Sequence, residues 1–131
     1  MTDKIKVLYI DDEDNNLNSF KASLRKDFMV ITAIDAFEGL KIAETEELHV
    51  VIADQRMPGL DGVEFFEKLM EINPEPVRIL LTGYSDIADV IDAINRGQVY
   101  RFIDKPWNIE QIKNATAGKL IVEGDIPEMV F

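Results

Sequence analysis

A chain of 131 residues fits one domain, and 25 acidic against 14 basic residues give it a formal net charge of −11. That charge repels phosphate backbones and argues against nucleic-acid binding by this domain alone. The sequence has no cysteine, no apolar run near the roughly 20 residues of a membrane span and no secretory leader. We therefore expect a cytoplasmic domain without disulfides or a membrane anchor.

The first part of the chain alternates apolar runs with amphipathic stretches. Residues 4–10 predict a strand that ends in an acidic loop, after which Asn15 or Asn16 is expected to cap a helix. Residues 28–33 predict a second strand, and Asp35 is expected to cap a second helix. The apolar face of the first helix comprises Leu17, Phe20 and Leu24.

A short, wholly apolar run at residues 50–53 predicts a buried central strand that leads directly to Asp54. A loop with one proline and two glycines follows, and Asp61 is expected to cap the next helix. An aspartate after a strand is by itself equally well explained as a turn residue. A chemical role for Asp54 therefore depends on which other side chains share its edge of the sheet. The apolar stripe of the next helix comprises Val63, Phe66, Leu69 and Met70.

Two further strand–helix units and a tail follow. Residues 77–81 and 99–103 predict strands, with a helix over residues 87–94 between them and another helix after the last strand. Two glycines near the end disfavour a continued helix. We therefore place the domain at residues 1–117 and a C-terminal tail at residues 118–131, which is either extended or the truncated start of a linker.

Strands that alternate with helices of about 10–15 residues predict an α/β fold with a five-stranded parallel sheet. Parallel strands need crossover connections, and right-handed crossovers place helices on both faces of the sheet. In such a sheet, the carboxyl ends of the strands open onto the crevice in which ligands bind. We expect the functional site at that edge.

Polar side chains follow four of the predicted strands at this edge. They are Asp11 and Asp12 after the first strand, Asp54 after the third, Thr82 after the fourth and Lys105 after the fifth. Clustered carboxylates repel one another unless a cation neutralises them, and a ligand set of oxygen atoms alone suits Mg²⁺. A lysine supplies a positive charge, and a threonine supplies a hydroxyl donor, for phosphoryl oxygens. This combination predicts capture of a phosphoryl group by a carboxylate.

At these positions the chain resembles the receiver domain of two-component response regulators, of the kind joined to phosphodiesterase, cyclase or kinase output modules. The resemblance covers about residues 4–117, and its motifs are Asp11-Asp12, Asp54 with Arg56-Met57-Pro58-Gly59 and Asp61-Gly62, Thr82-Gly83, and Lys105-Pro106. It implies a flavodoxin-like (βα)5 fold with Asp54 as the phosphoacceptor. The implied ligands of Mg²⁺ are Asp11, Asp12, Asp54 and the backbone carbonyl of Arg56.

The resemblance also implies how the phosphoryl group acts. Thr82 and Lys105 would contact the phosphoryl oxygens, and Thr82 with Phe102 would form a packing switch toward a partner or output module. Arg56 and Tyr84 would flank the path of the water that removes the phosphoryl group. The implied donor is a histidine kinase or a phosphotransfer protein, and homodimerisation is compatible with the family. The domain would be a signalling module that catalyses only its own phosphorylation and dephosphorylation.

Two other classes of protein share parts of this pattern. A haloacid-dehalogenase-like phosphatase also forms an aspartyl phosphate, but it needs a second carboxylate two positions after the nucleophile, where this chain has Arg56. A flavodoxin-like FMN carrier shares the fold, but its first loop binds phosphate, and here that loop is the acidic stretch at residues 11–14. A receiver that never accepts phosphate is a further alternative, although no motif position is missing.

Overall fold

The structure, a computed structural model, describes residues 4–82, the strand at residues 101–104 and the single positions 88, 91 and 110. The bounds of its elements are β1 Ile5–Ile10, α1 Asp14–Leu24, β2 Phe28–Ala33, α2 Ala36–Thr45, β3 Val50–Asp54, α3 Gly62–Ile72, β4 Val77–Thr82 and β5 Arg101–Asp104. The predicted strands before residue 83 are confirmed to within one residue at each end. The last described strand ends one residue beyond the predicted Ile103.

The strands form a parallel sheet in the order β2-β1-β3-β4-β5, so β3 lies at its centre. All of β3 is buried, which explains why its sequence is a continuous apolar run that ends in one aspartate. Ile10 at the end of β1 pairs with Ala53 of β3, and Asp54 pairs with Leu81 of β4. The register therefore brings the ends of β1, β3 and β4 to one edge.

Helices cover both faces of the described sheet. On one face α1 packs against the strands, and the core there comprises Val7, Tyr9, Leu17, Phe20, Leu24, Phe28, Val30, Val50, Ile52, Ile79 and Leu81. On the other face lie α2 and α3, with Leu8, Ile10, Ala36, Ala43, Val51, Ala53, Phe65, Phe66, Leu69 and Leu80 in the core. The predicted α/β fold with a parallel sheet and flanking helices is therefore confirmed. The last βα units of the predicted five extend beyond the described residues.

The helix starts confirm two predicted caps and correct the third. Asp35 accepts from the backbone N–H of Glu38 over 2.8 Å, and Asp61 accepts likewise from Glu64 over 2.8 Å, as N-caps do. The prediction for α1 was wrong, because its N-cap is Glu13 and both asparagines lie inside the helix. The helix starts earlier because the carbonyl of Glu13 already accepts the first helical hydrogen bond, from the N–H of Leu17 over 3.1 Å.

Most of the residues that were predicted to form the apolar stripes of α1 and α3 are buried. Leu17, Phe20 and Leu24 of α1 are buried as expected, but α3 also buries Phe65, which the predicted stripe omitted. Within the described part of the chain no helix has the length and apolar character needed to cross a membrane. The predicted helix at residues 87–94, the helix after the last strand and the tail at residues 118–131 lie outside the described residues.

Candidate functional site

Three aspartates lie together at the carboxyl edge of the sheet. Because Ile10 pairs with Ala53, Asp11 and Asp54 follow at the same level on neighbouring strands. Asp11, Asp12 and Asp54 each offer a carboxylate oxygen within 4.8 Å of the others. Asp11 and Asp54 are buried, with 1% and 4% of their surface exposed, whereas Asp12 is exposed. Asp12 is therefore the member of this carboxylate cluster that faces solvent.

The carboxylate of Asp11 is held by donors from β1 and from the start of α1. The Tyr9 hydroxyl donates to Oδ2 over 2.6 Å, and Nδ2 of Asn16 donates to the same oxygen over 3.0 Å. The backbone N–H of Glu13 donates to Oδ1 over 3.0 Å. Burial and the bond to Asp11 raise the pKa of the Tyr9 hydroxyl well above its ordinary value, so this hydroxyl stays protonated and acts as the donor.

Asp54 ends β3, and the residue after it fixes the backbone at this point. The N–H of Gln55 donates to the carbonyl of Leu81 over 2.9 Å, which continues the pairing of β3 with β4. The carbonyl of Gln55 accepts from the N–H of Gly62 over 3.0 Å, and its side-chain Oε1 accepts from the N–H of Val63 over 3.0 Å. The buried Gln55 thus ties the end of β3 to both β4 and the first turn of α3.

Gly62 allows α3 to begin directly against the backbone of Asp54. A Cβ atom at this position would lie 2.9 Å from the carbonyl oxygen of Asp54 and 2.5 Å from Cδ1 of Leu80. Both separations are shorter than real Cβ contacts, so only glycine fits here without movement of its neighbours. The Asp-Gly pair at 61–62 therefore combines a helix cap with a close approach of helix and strand.

The loop between β3 and α3 is anchored while its second residue faces outward. Arg56 is exposed, whereas Met57 is buried in the core. Gly59 has a φ of +84°, in the left-handed region that glycine adopts without strain, and the ring of Phe37 lies against it. The backbone carbonyl of Arg56 thus belongs to a loop that is fixed on both sides.

The remaining predicted site residues lie on or after β4 and β5. Thr82 is fully buried at the end of β4, next to the strand that carries Asp54. Along the backbone, Phe102 pairs with Leu80, and Asp104 pairs with Thr82. Lys105 and Tyr84 lie outside the described residues. The described part of the chain therefore brings Asp11, Asp12, Asp54 and Thr82 to the same edge of adjacent strands.

The carboxylate cluster has the chemistry of a site for a hard divalent cation. Three negative charges so close together repel one another, and burial of two of them strengthens the repulsion because the local dielectric constant is low. All three donors are carboxylate oxygens, the ligands that Mg²⁺ prefers. The residues present therefore fit a magnesium ion.

Three residues that lie next to this site were not predicted from the sequence to belong to it. Tyr9 was assigned only to a strand and Asn16 was assigned to a helix cap, yet both donate to Asp11. Gln55 was assigned no role. The sequence carried a weak signal for Tyr9, because a phenol two residues before a buried aspartate projects to the same face of a strand. The signal for Gln55 lay in its position directly after Asp54.

Comparisons of sequence place this chain among known signalling proteins. Residues 7–117 match the profile of the family described as "Response regulator receiver domain". The hydrogenase transcriptional regulatory protein HoxA of Cupriavidus necator is 40% identical over 108 residues, which are 82% of this chain and 22% of that protein. HoxA of Bradyrhizobium diazoefficiens is 37% identical over 106 residues, or 81% of this chain and 22% of that protein. The chain thus spans about a fifth of the length of these relatives.

Comparisons of structure agree with those of sequence. A structure titled adenylate cyclase from Rhodopirellula baltica superposes with a TM-score of 0.86 at 33% identity, covering 92% of this chain and 94% of that chain. A response regulator receiver domain protein from Clostridium thermocellum gives a TM-score of 0.84 at 32% identity, covering 89% and 94%. The fold, the edge at which the aspartates meet and the family match over residues 7–117 lead to one assignment: this chain belongs to the response regulator receiver domains of two-component signalling.

Proposed function

We propose that this receiver domain accepts a phosphoryl group on the carboxylate of Asp54 in a Mg²⁺-dependent reaction. One observation carries the proposal, namely the meeting of Asp11, Asp12 and Asp54 within 4.8 Å at the carboxyl edge of the sheet. Of the three, Asp54 lies at the end of the central strand, and its Oδ1 is shielded from solvent. Its backbone is fixed by Gln55 and Gly62, so the nucleophile is held in place before the donor arrives.

In the proposed reaction an oxygen of Asp54 attacks the phosphorus atom of a phosphohistidine. The new P–O bond forms as the P–N bond to the donor imidazole breaks, and the bonding electron pair leaves with the imidazole nitrogen. The other ring nitrogen of the phosphohistidine carries a proton, so the donor leaves as a neutral imidazole. The product is an acyl phosphate on Asp54 and a free histidine on the donor. The donor is proposed to be a histidine kinase or a phosphotransfer protein, because receiver domains of this family receive their phosphoryl group in this way.

The proposed ligands of Mg²⁺ are the carboxylates of Asp11, Asp12 and Asp54 together with the backbone carbonyl of Arg56. When bound, the ion would neutralise the carboxylates and the oxygens of an incoming phosphoryl group. Asp11 is oriented by three hydrogen bonds from the described residues, while Asp12 remains exposed and can approach a cation from the solvent side. The loop that carries Arg56 is anchored by Met57 in the core.

Thr82, Lys105 and Phe102 are proposed to read the state of Asp54. The burial of Thr82 beside β3 supports this role for its hydroxyl, since a phosphoryl group on Asp54 would lie at the same edge. Lys105 follows β5 and is proposed to bind a second phosphoryl oxygen. Phe102 is proposed to follow the movement of Thr82 and to alter the surface that a partner recognises.

The partner that receives the signal is proposed to be an output module or a separate effector protein. The relatives support a joined module, because this chain spans only 22% of the transcriptional regulators named HoxA. A further similar structure is titled the signal receiver domain of an HD domain-containing protein from Pseudomonas fluorescens Pf-5. We propose residues 1–117 as the receiver and residues 118–131 as a connection to such a module, with homodimerisation as an accompanying mode of output.

The proposal is tested by intact-mass spectrometry after incubation with Mg²⁺ and a small acyl phosphate donor. We expect one phosphate on the wild-type chain and none on Asp54→Asn, because the amide has nearly the same shape but is a far poorer nucleophile. Asp27→Asn is the matched control, since Asp27 is an exposed aspartate outside the carboxylate cluster, and it should label like wild type. Absence of label on the wild-type chain, or persistence of label on Asp54→Asn, would contradict the assignment.

A further inference from the structure

We infer that the hydroxyl of Tyr9, together with the amide of Asn16, positions the carboxylate of Asp11 for cation binding. The inference rests on the proposed Mg²⁺-dependent function and adds two residues to it. Neither residue offers a carboxylate to the cation, so both are positioning residues that act through Asp11. Their effect should therefore be visible in the affinity for Mg²⁺ itself.

Tyr9 and Asp11 make a buried side-chain contact. A carboxylate can only accept a hydrogen bond, so the phenol must be the donor in the 2.6 Å contact with Oδ2. Hydrogen bonds to a charged acceptor are shorter and stronger than neutral ones, and both groups are 1% exposed, which excludes competing water. The phenol ring is itself held, because it stacks on Phe20 with 4.1 Å between ring centroids and an interplanar angle of 22°. The donor is thus a rigid group anchored in the core.

Three of the acceptor positions on the Asp11 carboxylate are occupied by hydrogen bonds from the described residues. An ionised carboxylate has about four lone-pair positions, two on each oxygen. Among the described residues, Tyr9 and Asn16 both donate to Oδ2, and the backbone N–H of Glu13 donates to Oδ1. Oδ2 is therefore fully used, and the remaining acceptor position of Asp11 is on Oδ1. The hydrogen bonds select which oxygen of Asp11 is left for the cation or for a water bound to it.

The three carboxylates of the cluster repel one another. Without a cation, the charge of Asp11 would be better stabilised if its side chain turned away from Asp12 and Asp54. Two donors on Oδ2 oppose that rotation, so the protein holds the carboxylate ready for the cation. Residues that orient metal ligands in this way commonly change metal affinity by about 10- to 100-fold when they are removed.

The test is isothermal titration calorimetry with MgCl₂, performed on the full wild-type chain and on the full chain of the Tyr9→Phe variant. The substitution removes only the hydroxyl and retains the ring that stacks on Phe20. We expect the dissociation constant for Mg²⁺ to rise about tenfold. Urea unfolding in chelator shows whether the metal-free variant is folded at the titration temperature, which separates a loss of positioning from a loss of fold.

Asn16 and Asn15 provide a matched pair of controls on the same helix. Asn16→Ala removes the second donor to Asp11 and should weaken Mg²⁺ binding, while the exposed Asn15→Ala should bind like wild type. Alanine favours the helix at both positions, so a weaker helix cannot explain a difference. Unchanged affinity in Tyr9→Phe with normal wild-type binding would overturn this inference alone, as would equal weakening by both asparagine variants. A wild-type chain that binds no Mg²⁺ would instead overturn the proposed function.

Discussion

Asp54 belongs both to the buried central strand and to the carboxylate cluster. Its strand is buried throughout, yet it ends in a carboxylate that lies within 4.8 Å of two others. A folded chain tolerates such a cluster only if other groups stabilise the charges, and the donors on Asp11 do part of this. The free-energy cost that remains comes from repulsion between individual carboxylates, so it can be measured by removing one charge.

We predict that Asp54→Asn unfolds with a free energy about 1 kcal/mol higher than that of wild type in the absence of divalent cations, because it relieves repulsion present only in the folded state. The free energy is measured by urea unfolding in chelator. Adding Mg²⁺ should remove the difference, since the ion binds the folded wild type and stabilises it by mass action. Equal stabilities in chelator would show that the three carboxylates do not repel appreciably.

A second prediction at this scale concerns the lifetime of the phosphoryl group. Arg56 is exposed two residues after Asp54, and Tyr84 lies two residues after Thr82 in the sequence. Both are bulky, and neither carries an acid or amide that could orient an attacking water. We expect Arg56→Asn with Tyr84→Glu to lose phosphate about tenfold faster, equivalent to roughly 1.4 kcal/mol of barrier.

Decay of the phosphorylated mass is followed after removal of the donor, with each single variant measured beside the double variant. The single variants show whether one side chain or both control the access of water. Equal or slower decay in the double variant would mean that access is controlled elsewhere.

At the scale of elements, the site depends on how closely α3 approaches β3. The side chain and the carbonyl of Gln55 accept from the first N–H groups of α3, and the absence of a side chain at Gly62 lets the helix begin against Asp54. The same helix is capped by Asp61. The start of α3 and Asp54, the proposed phosphoacceptor, therefore form one structural unit, and a substitution in one should alter the structure of the other.

We predict that Gly62→Ala lowers the free energy of unfolding by about 3 kcal/mol, since its Cβ would meet a backbone oxygen that cannot move alone. Gly39→Ala in α2 is the matched control, because its Cβ would meet only side-chain atoms, which are Cδ1 of Ile10 at 2.9 Å, Cγ1 of Ile10 at 3.1 Å and Cε1 of Phe65 at 3.2 Å. Alanine is also about 1 kcal/mol more favourable than glycine in a helix interior, so Gly39→Ala should lower the free energy of unfolding far less than Gly62→Ala does. Urea unfolding measures both, and similar losses would refute the distinction.

The net charge of −11 on the complete chain acts against compactness, because like charges repel one another. In one surface ion pair of the described residues, Nζ of Lys6 lies 3.3 Å from Oε1 of Glu46. Such exposed pairs contribute little, so the fold rests on its two apolar layers and carries an unbalanced surface charge. Salt should therefore stabilise this protein generally, and Mg²⁺ should stabilise it specifically.

We predict that the melting temperature rises by about 4 °C when NaCl increases from 10 to 100 mM, because the screening length falls from about 30 Å to about 10 Å. At equal ionic strength, MgCl₂ should raise the melting temperature of wild type further than NaCl, but it should not do so for Asp54→Asn. Differential scanning fluorimetry measures all four combinations. The same Mg²⁺ response in both proteins would point to general screening instead of the carboxylate cluster.

Local patterns in the sequence were sufficient for the elements before residue 83 and for the three aspartates of the carboxylate cluster. The periodicity of apolar residues and the turn residues located the strands before residue 83 to within one residue. The caps at Asp35 and Asp61 were predicted correctly because a cap depends on neighbours three residues away. The order of strands and helices implied a parallel sheet, and a parallel sheet brings strand ends to one edge. The grouping of Asp11, Asp12 and Asp54 could therefore be predicted from the sequence.

Contacts between distant elements determine how those side chains are held. Asn16 looked like a cap, but the helix already starts after Glu13, so Asn16 lies inside the helix and its amide donates to the carboxylate of Asp11. Gln55 reaches across eight residues to α3, and Tyr9 reaches Asp11 inside the core. These contacts depend on distances between elements, and a local pattern does not contain them. Local sequence patterns therefore predict which residues come together, and tertiary packing determines which of their atoms form hydrogen bonds.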